Sequence, residues 1–410
     1  MHRLTSAALV LCFVPCLAAQ EWTRFRGPNG SGVAVAPGLP VKWTEDDYSW
    51  TAELPGTGNS SPVVWGDRLF VTAADEDSGT RFLLCLAADS GKTLWTRQFE
   101  FSSYKKHKNN SFASSTPCVD SDHVYVLWQS KAGSSLSAIS HDGEPVWEYD
   151  LGNYTHGQGG ATSPIVVGDR VILSNDQKSP SFLLAVDRLT GKEQWKVPRL
   201  GKRACYSTPC VFRSTGRGDE LIFTHCYEGI VGIDPATGKQ HWHIDVFGRS
   251  SQRALGSPVV TDNVVVATSG AAAGERQLVA VRPSGSKGSA SAVEAWRSVK
   301  MTPHVPTPVI HDGRLYIVSD QGIASCVDAE SGELLWKGRL NGSYFGSPVC
   351  VNGVIYCIDL DGTVAVFQTG DSFKLLARVP LGEGSKATPA VSGGRMFLRT
   401  HSRVFALSGR

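Results

Sequence analysis

The sequence predicts an all-β fold, an eight-bladed β-propeller of four-stranded antiparallel blades, on three observations. Ser-Pro or Thr-Pro recurs at Pro62, Pro117, Pro164, Pro209, Pro258, Pro308, Pro348 and Pro389, about 47 residues apart on average. A phrase ending in Gly-[Lys/Glu]-x-x-Trp recurs as DSGKTLW (89–95), TGKEQW (190–195), TGKQHW (237–242), SGELLW (331–336) and, more loosely, DGEPVW (142–147). Short apolar runs separated by turn residues fill the space between, as in SPVVWGDRLFVTA (61–73) and TPVIHDGRLYIVS (307–319). A repeat of this length made of short strands is a propeller blade rather than a helical solenoid.

The elements follow in chain order. Residues 1–19 have the pattern of a secretory signal: His2 and Arg3, an apolar run from Ala7 to Leu17, then Ala18 and Ala19. The run is too short to span a bilayer, and no other apolar run approaches the ~20 residues that a membrane helix needs. Residues 20–47 form a leader and residues 48–410 the propeller. Each blade opens with a hairpin, turned at Gly66-Asp67 in the first and Asp312-Gly313 in the sixth, followed by a third strand and a fourth that carries the tryptophan. Gly91-Lys92-Thr93 resembles the end of a phosphate-binding loop, but Leu86 stands where that loop needs its first glycine. It is read as the turn between third and fourth strands. The last repeat offers only three strands and no tryptophan, whereas YSWTAELP (48–55) has a tryptophan and no blade. Donating that strand to the C-terminal blade closes the ring and leaves no open edge. The blade-closing position is then Trp50, Trp95, Trp147, Trp195, Trp242, Trp296 and Trp336, with Leu376 in the seventh blade.

A formal net charge of +2 over 410 residues gives no support for a nucleic-acid or membrane-surface binder. The expectation is an exported, periplasmic or extracellular monomer.

The recurring [Ser/Thr]-Gly-[Lys/Glu]-x-x-Trp blade resembles the quinoprotein-like (PQQ-like) repeat family, over about residues 43–410. WTRFRGPNGSG (22–32) is similar to the leader of exported propellers of this family from bacteria such as planctomycetes. The resemblance implies one of two activities. Some members are dehydrogenases that hold pyrroloquinoline quinone and calcium on the ring axis. Others, including the lipoprotein of the outer-membrane barrel-assembly machinery, are non-catalytic scaffolds. The enzymes carry adjacent cysteines against the quinone, and this sequence has no two adjacent cysteines. No cofactor and no metal are therefore expected; quinone with calcium belongs to the alternative reading.

Two of the ten cysteines fall in the signal. Of the rest, Cys85, Cys118, Cys210, Cys326, Cys350 and Cys357 occupy slots that hold small or aliphatic residues in other repeats. Cys205 and Cys226 do not, and both lie in blade four, where a disulfide is a candidate.

Candidate binding residues sit on the loops that lead into the innermost strands, because packing between blades consumes the strands. Those loops gather Lys105, Lys106, His107, Asn109, Asn110, His156, Gln158, Lys202, Arg203, Arg253, His304 and Lys386. Their positive bias suits an anionic ligand or an acidic protein segment in the cell envelope. No catalytic residue is assigned. The expected function is a binding or scaffold propeller. Its alternatives are a quinone-dependent oxidoreductase and a carbohydrate or polyanion binder.

Overall fold

The computed structural model describes residues 21–409 apart from 156, 215–217, 249–252, 271–274 and 287. The expected signal, residues 1–19, and His156 lie outside the described residues.

Eight four-stranded antiparallel units form the ring. Blade one runs outward through Val63–Trp65, Arg68–Ala74, Arg81–Ala87 and Thr93–Phe99. The order repeats through blade seven, which ends at Lys374–Pro380. Blade eight has Ala390–Ser392, Arg395–Arg399 and Arg403–Ser408, and takes its outer strand, Tyr48–Glu53, from the other end of the chain. Trp50 stands opposite Ala406 in that pairing. The helices among the described residues are two three-residue 3₁₀ turns, Pro28–Gly30 and Glu45–Asp47.

The core lies between blades. Phe70, Leu83 and Cys85 of blade one pack with Val124, Val126 and Ile139 of blade two. The tryptophans extend this contact outward. Trp147 of blade two donates its indole N–H to the Arg188 carbonyl of blade three (3.0 Å), and Trp195 of blade three donates to Pro235 of blade four (3.0 Å). Trp50, Trp95, Trp296 and Trp336 bond in the same way to the next blade. Each of Trp50, Trp95, Trp147, Trp195 and Trp296 lies against the turn glycine of that blade; a Cβ on Gly191, at φ +71°, would stand 2.6 Å from the Trp147 ring. The repeated Gly…Trp phrase is therefore two halves of different contacts. Its glycine receives the preceding blade's tryptophan, and its tryptophan reaches for the following blade's glycine. Trp242 departs from the rule and donates to Glu220 of its own blade (2.9 Å).

Leu376 is not the seventh blade's equivalent of these tryptophans. The fourth strands bulge one residue before the tryptophan, so that Cys85 faces Trp95 while Leu86 faces Thr93. In blade seven the same bulge puts Ala377 opposite Val366 and Leu375 opposite Phe367, which leaves Leu376 as the bulged residue. Ala377 holds the tryptophan register. The aromatic on this side is Phe373, against Trp336 at 5.6 Å between ring centres.

The leader is woven into the ring. Val33–Ala34 pairs in parallel with the innermost strand of blade seven, Val349–Val351. Val64 and Val119 donate their N–H groups to the Trp22 and Thr23 carbonyls (2.9 and 2.8 Å), which ties in blades one and two. Arg24 donates to the Pro209 carbonyl, and Asn29 exchanges two bonds with the Val211 backbone. Arg26 is fully buried. Its guanidinium donates to the carbonyls of Gly30 and Ser31 within the leader, and to Thr307 (2.9 Å), Pro308 (2.6 Å) and Pro348 (3.1 Å) in blades six and seven. Burial pushes it down to about 9. Only the rigid five-donor fork of arginine meets so many carbonyls converging at one point.

Candidate functional site

The Ser or Thr before each repeat proline has a structural task. At seven of the eight joins its side-chain oxygen accepts the backbone N–H of the equivalent residue in the preceding blade. Ser61 donates to Thr116 Oγ1 (2.9 Å), Thr116 to Ser163 Oγ (3.0 Å), Thr208 to Ser257 Oγ (3.0 Å) and Ser257 to Thr307 Oγ1 (2.9 Å). Thr307 donates to Ser347 Oγ (3.0 Å), Ser347 to Thr388 Oγ1 (2.9 Å) and Thr388 to Ser61 Oγ (3.1 Å). The proline that follows fixes the backbone and donates nothing, so the residue before it carries the bond. These residues make a hydroxyl collar around the axis.

On one side of the collar the leader crosses the channel. On the other side the loops surround a cavity of about 460 Å³, which reaches down through the collar to Phe25. That volume is in the range of small-ligand sites. The result is a cup with an apolar floor, a hydroxyl collar and a polar rim.

Of the residues singled out from the sequence, His107, Asn109, Asn110, Gln158, Arg203, Arg253, His304 and Lys386 line this cup. Lys105, Lys106 and Lys202 do not line it. Lys105 and Lys202 are exposed, and the Lys202 backbone adopts φ +91°. Lys106 is occupied by an ion pair with Glu76 (2.6 Å) and lies over the Phe112 ring. Sequence reasoning did not find Phe25, Asn59, Tyr206, Leu255, Val305 or Phe345, nor did it give the collar a role. The Ser/Thr-Pro recurrence was the available signal for the collar.

Local hydrogen bonds fix the rim. Asn110 donates to the carbonyls of Gln158 (2.8 Å) and Gly160 (3.2 Å), and Tyr206 donates to the Gly159 carbonyl (2.9 Å). Two glycines of GQGGA (157–161) leave room for side chains: a Cβ at Gly159 would stand 2.7 Å from Asn110 Nδ2. A Cβ at Gly160 would stand 2.3 Å from Gln129 Oε1.

The charge of the cup is one-sided. The acidic residues of neighbouring loops are committed elsewhere: Glu76 to Lys106, Asp176 and Glu228 to Arg199, and Asp320 to Arg276 (3.0 Å). Among the described residues Arg203, Arg253 and Lys386 have no ion-pair partner, and no Asp or Glu lines the cavity. Burial holds the Lys386 ammonium below its ordinary range, and the Lys106 charge adds to the effect. Burial likewise holds the His304 imidazole below its ordinary value; Asp320 opposes this, and Arg276 and Arg253 reinforce it. A bound anion favours the protonated forms of Lys386 and His304.

A family profile described as outer membrane protein assembly factor BamB matches residues 80–292 and 274–410. The chain belongs to this family. This BamB-like propeller is 24% identical over 366 residues to a polyvinylalcohol dehydrogenase from a Pseudomonas species, covering 79% of this chain and 50% of the relative. It is similar in structure to BamB from Moraxella catarrhalis, with a TM-score of 0.61 at 14% identity over 87% of this chain and 96% of that one. It is also similar to a europium-containing methanol dehydrogenase, with a TM-score of 0.65 at 12% identity over 93% of this chain and 90% of that one. At these identities the structural likeness shows the fold alone. The chain spans about half the length of the first two curated relatives it matches.

A calcium-bound quinone on the axis needs hard oxygen ligands for its cation. The cup offers hydroxyl and amide oxygens beside arginine, lysine and histidine, and no carboxylate among its described lining residues. With no anionic ligand and several cations, that lining does not fit the calcium ion.

Proposed function

We propose that this BamB-like propeller is a binding module of the cell envelope whose axial cup takes a carboxylate-bearing ligand, such as an acidic segment of a partner protein. The observation that carries the reading is the set of cations Arg203, Arg253 and Lys386, without an ion-pair partner among the described residues, over a cavity with no acidic residue in its described lining. Anionic groups at the rim meet these cations, and apolar parts reach Phe25, Leu255, Val305 and Phe345. The relatives named outer membrane protein assembly factor support an envelope location and a scaffold role. Titration calorimetry with a short polyglutamate peptide tests the reading. Binding that weakens steeply between low and physiological salt supports it, because screening acts over ~10 Å at 0.1 M ionic strength. Salt-independent binding, or none at low salt, overturns it.

A second reading, oxidoreductase activity with a quinone, is favoured by the similarity to polyvinylalcohol dehydrogenase over most of the chain. Pyrroloquinoline quinone titrated with and without calcium separates the two. The cup's lining favours an isotherm that calcium leaves unchanged; calcium-dependent stoichiometric binding establishes the second reading.

A further inference from the structure

Behind the wall of the cup lies a second cluster that the proposed function does not use. Cys205 sits in the loop leading into blade four, between the cavity-lining Arg203 and Tyr206. His225 ends the second strand of the same blade, Gly218–His225, and Cys226 follows it. All three side chains are fully buried, packed with Ala254 and Tyr227. The two sulfurs are 3.6 Å apart, and one ligand atom from each of the three residues lies within 4.8 Å of the others. Both cysteines are free thiols in the structure, so the disulfide considered from the sequence is not formed there.

The geometry distinguishes the uses of such a pair. A disulfide needs its sulfurs at ~2.05 Å. Two thiolates on a tetrahedral zinc, each at ~2.3 Å from the metal, stand ~3.8 Å apart, close to the separation seen. Two thiols in simple contact have a similar separation, so the imidazole is the deciding observation. His225 Nδ1 accepts the Tyr227 N–H (3.2 Å), while its buried Nε2 has no hydrogen-bond partner. The neutral imidazole is the form in which histidine ligates metals. Among the described residues no other group of three such donors meets this closely.

We propose that Cys205, His225 and Cys226 form a zinc site that fastens the wall of the axial cup. Sulfur and imidazole donors select a borderline-soft cation over calcium or magnesium. In the metal-free pair both cysteines are free thiols, and one sulfur donates to the other. Zinc binding breaks two S–H bonds, forms two Zn–S bonds and one Zn–Nε2 bond, and sends two protons to solvent; the imidazole proton moves from Nε2 to Nδ1, which gives up the Tyr227 N–H. The dication and two thiolates then sum to a neutral buried unit, which avoids the penalty of an isolated buried charge. The neighbouring buried carboxylate, Asp176, is paired with Arg199 (3.5 Å), so the surroundings add no net charge to the site from that pair. Three protein donors leave one corner of the tetrahedron for a further ligand. The metal would join the loop bearing Arg203 and Tyr206 to the end of the second strand, so its presence stiffens the cup.

The test uses the full-length mature protein, reduced and stripped of metal by a chelator under anaerobic conditions. Titration with zinc chloride against a chromophoric chelator gives one zinc per chain, two protons released and a raised Tm. Cobalt(II) in place of zinc gives a thiolate-to-cobalt charge-transfer band. Cys205→Ala and Cys226→Ala each abolish both signals, while Cys85→Ala leaves them intact. Because a core cysteine variant can fail to fold, the cobalt spectrum of the unmutated protein stands as evidence by itself. Uptake well below one equivalent, cobalt binding without the thiolate band, or uptake unchanged in a folded Cys205→Ala protein overturns the proposal. A Cys205–Cys226 disulfide that persists under reductant overturns it too.

Discussion

The backbone N–H of Thr388 donates to Ser61 Oγ at 3.1 Å, joining the last blade to the first across 327 positions of sequence. Both residues are almost fully buried, so water has little access to the bond. Ser61→Ala keeps the Ser/Thr-Pro backbone but leaves the Thr388 donor without a partner at the ring's join. An orphaned buried donor costs about 1–3 kcal/mol. Urea denaturation should show a loss of that size with an unchanged m-value. A loss below about 0.5 kcal/mol would mean that the collar does not hold the blades.

Gly191→Ala tests the docking of tryptophan on the neighbouring turn. The new Cβ meets the Trp147 ring at 2.6 Å and adopts φ +71°, which an L-residue resists. The left-handed conformation costs about 1–2 kcal/mol, and displacing the ring raises the total to about 2–4 kcal/mol. In a Trp147→Ala background the steric part disappears, and the same substitution should cost only about 1–2 kcal/mol. A double-mutant cycle from thermal or urea unfolding reads the difference. Equal costs in the two backgrounds would remove the tryptophan from the explanation.

Much of this architecture was legible in the sequence, because a repeat states each rule several times. The Ser/Thr-Pro period and the Gly…Trp phrase located the eight blades, and the unpaired Trp50 located the closing strand. What one repeat cannot show is which partner in the next blade its residues serve. The turn glycine was readable as a turn residue; the Trp147 ring against Gly191 comes from the blade before it. Leu376 was misplaced by one residue because the bulge in the fourth strand is a property of pairing, not of composition. In the cup, the charged loop residues were found by their clustering. Lys105, Lys106 and Lys202 share that clustering, and only their surroundings separate them from Arg203 and Lys386. Phe25 was out of reach for a different reason: no local pattern says that a leader will cross the channel.

Anion affinity should depend on pH through His304. Burial holds its imidazole below 6.5, and Asp320, Arg276 and Arg253 are the charged groups around it. A bound carboxylate favours the protonated ring, so the complex takes up a proton more readily than the free protein. Affinity for polyglutamate therefore rises as pH falls through and below about 6.5, then levels once the free protein is also protonated. His304→Gln should flatten the profile above the range where the peptide itself titrates. An unchanged profile in that variant would place the proton elsewhere.

Charge reversal at Arg203 and Arg253 tests the anion-binding cup most directly. Both side chains line the cavity without an ion-pair partner among the described residues, whereas Lys202, next to Arg203 in sequence, is exposed and outside it. Calorimetry of polyglutamate binding should show at least a tenfold loss for the Arg203→Glu/Arg253→Glu protein, about 1.4 kcal/mol or more. Lys202→Glu should bind within about twofold of the unmodified protein, and all three proteins should melt at nearly the same temperature, since partly exposed loop charges contribute little to stability. Equal binding by the double variant, or a larger loss from Lys202→Glu, would contradict the assignment of the axial cup as the binding site.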